Sequence, residues 1–163
     1  MATSYSVPIN EFFSRVEKDK DFFQYFNLSD EEAMELANKR AEIYLFEACA
    51  KIMMMCQPTV NFSNRDNDLR QFNFDLTPSE ILLISSLMYE FYLDRDVSYI
   101  KLQSVNYAPT ALRVFDPSNA RSTFLALYNF VHAQNETLMD VYKNTDRLTG
   151  TYNSINFAAY EED

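Results

Sequence analysis

Glycine is almost missing from this chain of 163 residues: there is one, Gly150. A phosphate cradle built on closely spaced glycines is therefore excluded. There is also one histidine, His132, with no nucleophile signature around it, so a Ser–His–Asp or Cys–His system has nothing to assemble from. Two cysteines and one histidine fall short of a zinc site. Cys49 and Cys56 lie seven positions apart on an expected helix, about 10 Å along its axis and too far for a disulfide. Two buried free thiols are expected instead. No apolar run approaches the roughly 20 residues that span a bilayer, and the opening MATSYSVPINEFF lacks the layout of a signal peptide. A cytoplasmic protein with no membrane partner is the expectation.

Basic residues are scarce too. Fourteen lysines and arginines stand against 24 acidic residues, a formal charge of −10, which opposes wrapping of nucleic acid. Carboxylates such as Asp94, Asp96, Asp140 and Asp146 are scattered along the chain, and only burial would raise their pKa usefully. The reading is against an enzyme, with no cofactor and no metal. A carboxylate-based hydrolase stands as a remote alternative.

What is abundant is aromatic: fourteen phenylalanines and eleven tyrosines in a chain 47% apolar. That composition predicts a folded domain with a real core. The longest ordered pattern lies between Asp116 and Gly150. Asp116 and Pro117 form a helix start, Lys143 and Arg147 suit the helix C-terminus, and Gly150 can take the left-handed stop. Phe124, Leu127, Tyr128, Val131, Leu138, Val141 and Tyr142 recur at helical steps as one face. His132, Gln134 and Asn135 interrupt it, which predicts a kink or a subunit interface there.

Two other helices announce themselves by capping boxes. Ser29 with Glu32 opens one, whose stripe runs Met34, Ala37, Ala41, Tyr44, Leu45, Ala48, Ile52 and Met55 and which must stop before Pro58. Its Met53–Met55 run is expected to pack rather than to bind. Thr77, Pro78 and Glu80 open the second, ILLISSLMYEFYL, apolar on more than one side and so central or covered by a neighbour. It is expected to end around Asp94–Asp96. Between these helices, residues 59–76 alternate at period two about the polar turn SNRDND, as a β-hairpin or ordered loop projecting from the bundle. Asp66, Asn67 and Asp68 lack the glycine and distal glutamate of a calcium loop. A polar N-terminal arm, a short helix from near Asn10 carrying Phe12, Phe13 and Val16, and an aromatic lid at Asp21–Asn27 come first. Residues 97–115 are a short helix or strand followed by extended chain. The expected fold is mainly α: one domain over 1–150, with three principal helices forming a bundle, then an extended C-terminal tail at 151–163.

In this order, EEAMELANKRAEIYLFEACAKIM, LTPSEILLISSLMYEFYLDRD, DPSNARSTFLALYNFV and YKNTDRLTG resemble the small head–tail connector (neck adaptor) proteins of tailed bacteriophages, over roughly residues 20–150. That resemblance implies a structural virion protein in a ring, commonly of twelve copies, below the portal. The ring would extend a channel through which DNA passes without specific binding, and would dock on the portal protein and a downstream neck or tail protein. It implies host cytoplasm during assembly and the virion neck afterwards. By the same analogy, Tyr152, Ile155, Phe157 and Tyr160 in the tail would reach the portal. Phe62, Arg65, Arg70 and Phe72 in the 59–76 excursion would touch a neighbour or line the channel. Another phage neck or tail-completion protein, or a soluble helical regulator with one protein partner, are the alternatives.

Overall fold

A computed structural model of the chain describes residues 2–17, 20–23, 27–106 and 117–153. Among the described residues there are five helices: α1 (Ser6–Val16), α2 (Lys20–Phe23), α3 (Asp30–Cys56), α4 (Pro78–Asn106) and α5 (Pro117–Lys143). Three two-residue strands, β1 (Thr3–Ser4), β2 (Arg65–Asp66) and β3 (Gln71–Phe72), form an antiparallel sheet in the order β1-β3-β2. This is the mainly α bundle with a hairpin that the sequence predicts. α3, α4 and α5 are its principal members, and α1 packs against α3 and α4.

Both capping boxes form. Ser29 Oγ accepts from Glu32 N while Glu32 Oε2 accepts from Ser29 N, and Thr77 and Glu80 repeat the exchange at the start of α4. Gln57, left-handed at φ 48°, ends α3 just before Pro58. The stripe of α3 is shifted from the predicted one. Ala37, Ala41, Leu45, Ala48 and Ile52 are fully buried, but Met34 and Met55 are exposed, and Ala33, Cys49 and Cys56 take interior places. The buried alanines let neighbouring helices approach closely.

Four expectations are corrected. α4 does not end at Asp94–Asp96 but continues to Asn106, because the exposed Asp94 and Arg95 do not break a helix and no proline or glycine intervenes. α1 begins at Ser6, not near Asn10, since Pro8 falls in the first turn, where a missing N–H costs nothing. The N-terminal arm is a strand: Thr3 pairs with Phe72 and Ser4 with Gln71, and Thr3 Oγ1 accepts from Leu76 N at 2.9 Å. Finally, α5 stops at Lys143, before Gly150. A small hairpin follows, held by Asp146 N to Thr151 O at 2.8 Å, Asn153 N to Asn144 O at 2.8 Å and a Thr145–Tyr152 bridge. Asp146 Oδ1 accepts from Leu148 N and Thr149 N, a local alternative to the helix ladder. The left-handed Gly150 (φ 68°) serves this turn, not the helix end.

The core is aromatic at one end. Phe12 meets Phe13, Phe22, Tyr44 and Tyr92 with ring centroids 5.6–6.3 Å apart, edge-to-face or tilted as ring quadrupoles prefer. Within the expected lid, Phe22 is buried and Phe23 packs on it, while Gln24–Phe26 lie outside the described residues. The hairpin contributes a second aromatic group, with Phe62 edge-on to Phe72 and Phe74 and Tyr5 edge-on to Phe72.

Truncating Phe72, buried where the hairpin, β1 and Tyr5 meet, is expected to cost about 3–5 kcal/mol as Phe72→Ala. Leu69→Ala at the exposed hairpin tip should stay within about 0.5 kcal/mol of the parent in the same urea titration.

Candidate functional site

The densest polar chemistry lies inside the bundle, on α4. Glu80 and Glu90 stand ten residues apart in a run that is otherwise apolar but for Ser85 and Ser86, and both glutamates are buried. A carboxylate removed from water must be answered by donors. Glu90 Oε1 accepts from Lys51 Nζ of α3 at 2.9 Å and lies 2.8 Å from His132 Nδ1 of α5. Its Oε2 accepts from Asn135 Nδ2 at 2.7 Å, and the same amide donates to Ser86 O at 3.1 Å. The Tyr128 ring stacks parallel on the imidazole. Burial pushes the Glu90 pKa up, but the bonds from Asn135, His132 and Lys51 outweigh it and hold the group below the usual carboxylate range. α5 runs through His132 and Asn135 without a break. They are the α5 half of an internal tie.

Glu80 anchors the other end. Beyond its capping bond to Thr77 N, it accepts from Tyr142 Oη at 2.8 Å and from Arg147 at 2.6 and 3.0 Å, a two-pronged contact. Arg147 also donates to Asp75 O, and its guanidinium lies over Phe74. Burial and the Glu80 carboxylate push the Tyr142 hydroxyl up, so it stays a donor. The two thiols are free and buried. Burial raises both, Cys49 to about 12, which leaves them protonated and unreactive. Among the described residues no group of three or more His, Cys, Asp or Glu side chains is placed to hold a metal ion.

The residues singled out for partner contact are dispersed. Phe62 and Phe72 are fully buried core residues, so they have no surface to offer a neighbour; Phe72 lies on β3 and Phe62 in the turn before β2, both directed into the core. Arg65 lies over the Phe46 ring, 3.9 Å from its centroid, and Arg70, left-handed at φ 52°, pairs with Glu42 of α3. Both arginines fasten the hairpin onto α3. Tyr152 is exposed in the hairpin after α5, and Ile155, Phe157 and Tyr160 lie outside the described residues. In the turn of the hairpin, Asp66 Oδ1 accepts from Asp68 N and Leu69 N.

One open cleft of about 770 Å³ lies between α3 and α4, with Ile43, Met54, Met55 and Phe91 on its apolar surface. Lys51 and Arg95 border it together with Glu47 and Asp94. Sequence reading missed the cleft and the Glu80 and Glu90 ties. The available signal was a pair of glutamates inside an apolar helix, each of which had to find donors. The chain matches no protein-family model, no curated protein and no solved structure.

Because the folded Glu90 pKa lies below its ordinary 4.5, its contribution to stability is present above that value and is lost as the pH falls through the lower, folded one. Glu90→Gln is expected to cost about 3 kcal/mol at neutral pH. Denaturant titrations repeated down the acid range should show a shallower loss of stability in the variant than in the parent; parallel curves would contradict the assignment.

Proposed function

We propose that this protein is a structural connector of a tailed-bacteriophage neck, an adaptor that assembles as a ring below the portal and joins capsid to tail. The observation that carries this reading is how the buried polar groups are used. Glu80 and Glu90, with Lys51, His132, Asn135, Tyr142 and Arg147, bond to one another across helices, so their polar groups join α3, α4 and α5; of these side chains Lys51 also borders the α3–α4 cleft. That supports a part that must hold its shape under load. The helical phrases that resemble neck adaptors, and the order in which they occur, supply the identity of the assembly. The acidic balance of the chain is compatible with DNA sliding past without sticking.

The cleft between α3 and α4 favours a second reading, a soluble regulator that receives one helix of a partner protein. Location separates the two. Quantitative proteomics of purified particles from cells that encode the chain should find it in fixed ratio to the portal protein; absence from particles would refute the connector reading.

Within the connector reading, the tail residues face the portal. Phe157→Ala with Tyr160→Ala should weaken capture by immobilised portal while leaving the thermal midpoint of the isolated chain unchanged. Undiminished capture would count against the tail as the docking element.

A further inference from the structure

The hairpin after α5, residues 144–153, stands mostly in solvent. Asn144, Asp146 and every residue from Leu148 to Asn153 are exposed, Leu148 by 80%. Its backbone bonds close on itself, from Asp146 N to Thr151 O, Gly150 N to Asp146 O and Asn153 N to Asn144 O. Arg147 departs from this pattern. Its side chain turns inward and is only 17% exposed. Nε and Nη2 donate to the two oxygens of Glu80 at 2.6 and 3.0 Å, Nη2 donates also to Asp75 O, and the guanidinium lies over the Phe74 ring. Among the described residues, it is the one side chain of the hairpin with a hydrogen bond beyond the hairpin and α5. Glu80 is held from the inside as well: Tyr142 Oη donates to one of its oxygens and Thr77 N to the other, each at 2.8 Å. Without Arg147, each oxygen therefore keeps a donor, and the bundle is not left with a bare buried carboxylate.

We infer that Glu80, the Asp75 carbonyl and the face of Phe74 form a guanidinium-binding site, and that the 144–153 hairpin is a strap held shut by its own Arg147 in that site. The donor and acceptor set is complete for this ligand. The two oxygens of one carboxylate take two N–H groups of the fork, a backbone carbonyl takes a third, and an aromatic face receives the flat, weakly hydrated cation. An ammonium carries the charge but has neither the fork nor the plane. Bonds made within an exposed hairpin cost little to open, whereas the inner donors on Glu80 belong to the cap of α4 and to α5. The strap therefore opens as a unit while the bundle stays folded. While it is shut the site is filled, and a free cation enters only by displacing Arg147. Site and strap are properties of the single chain and hold with or without the connector reading.

Filling the site from outside tests it on the full chain. Arg147→Ala is expected to fold, because Tyr142 and Thr77 still serve Glu80; a variant that does not fold would count against a separable strap. Millimolar methylguanidinium should raise the thermal midpoint of Arg147→Ala by a few degrees. Methylammonium at the same concentration should not, and the parent should respond to neither. An equal response of the variant to both cations, or of parent and variant to methylguanidinium, would overturn the site. Hydrogen exchange tests the strap. In Arg147→Ala and Arg147→Lys, the amides of Asp146, Gly150 and Asn153 should exchange about tenfold faster or more, while those of Leu45, Ile84 and Val131 in the bundle stay protected. Parent-like strap exchange in Arg147→Lys would show that charge alone suffices and refute the guanidinium fork. Exchange of strap and bundle amides at one common rate would mark a single cooperative unit and refute the strap.

Discussion

Two carboxylates on one helix fix how the bundle is assembled. Glu80 and Glu90 sit about 15 Å apart along α4 by helical rise, both out of contact with water. A buried carboxylate without donors is costly enough to unfold a small domain, so α3 and α5 must arrive on α4 with their donors in place. Lys51 of α3 and His132 and Asn135 of α5 meet Glu90; Tyr142 of α5 and Arg147 just beyond it meet Glu80. Sliding α5 by one turn would break both sets at once. Apolar packing alone tolerates such slippage, because one leucine face fits another in several registers; these ties do not.

The ties also determine where the remaining apolar surface ends up. With Asn135 turned into α4, the face of α5 that includes Tyr128, Val131 and Tyr142 points inward, and the neighbouring row led by Phe130 must point out. On α3, the Lys51–Glu90 bond holds one side against α4 and leaves Ile43, Met54 and Met55 beside an open cleft. A protein that needed only to fold would gain by making these surfaces polar. Among the described residues they carry the most exposed large apolar side chains on α3 and α5, beside a strongly acidic formal charge.

Local signals carried most of the secondary structure. The boxes at Ser29 and Thr77 depend on groups three residues apart, so they can be read from the chain and are met in the structure. Period-two alternation identified a hairpin within 59–76 but misplaced it: β2 (Arg65–Asp66) lies inside the SNRDND segment read as the turn, and the turn is 67–70. The errors arose where a local signal had a distant competitor. The N-terminal arm reads as polar and loose, yet Thr3 finds Phe72 across 69 positions. Gly150 reads as a helix stop, but Asp146 ends the regular pattern earlier by drawing in the amides of Leu148 and Thr149. The candidate contact residues suffered most, since alternation reports that Phe62 and Phe72 share a face without saying whether that face meets solvent or the core.

By itself, the sequence determined the helical class, the two capped starts, the hairpin, the buried thiols and the scarcity of groups for nucleophilic or metal chemistry. Each follows from residue type and spacing within a few turns of chain. Only the tertiary structure decided that the polar break at His132 and Asn135 is an internal tie, that Glu80 and Glu90 are its partners, and that Leu127 and Val141 are exposed. Adjacent residues on a helix differ by about 100° in direction, and a wide apolar stripe contains no mark of where its own core stops. That boundary is set by the position of the neighbouring helices, and here the buried charges on α4 set that position.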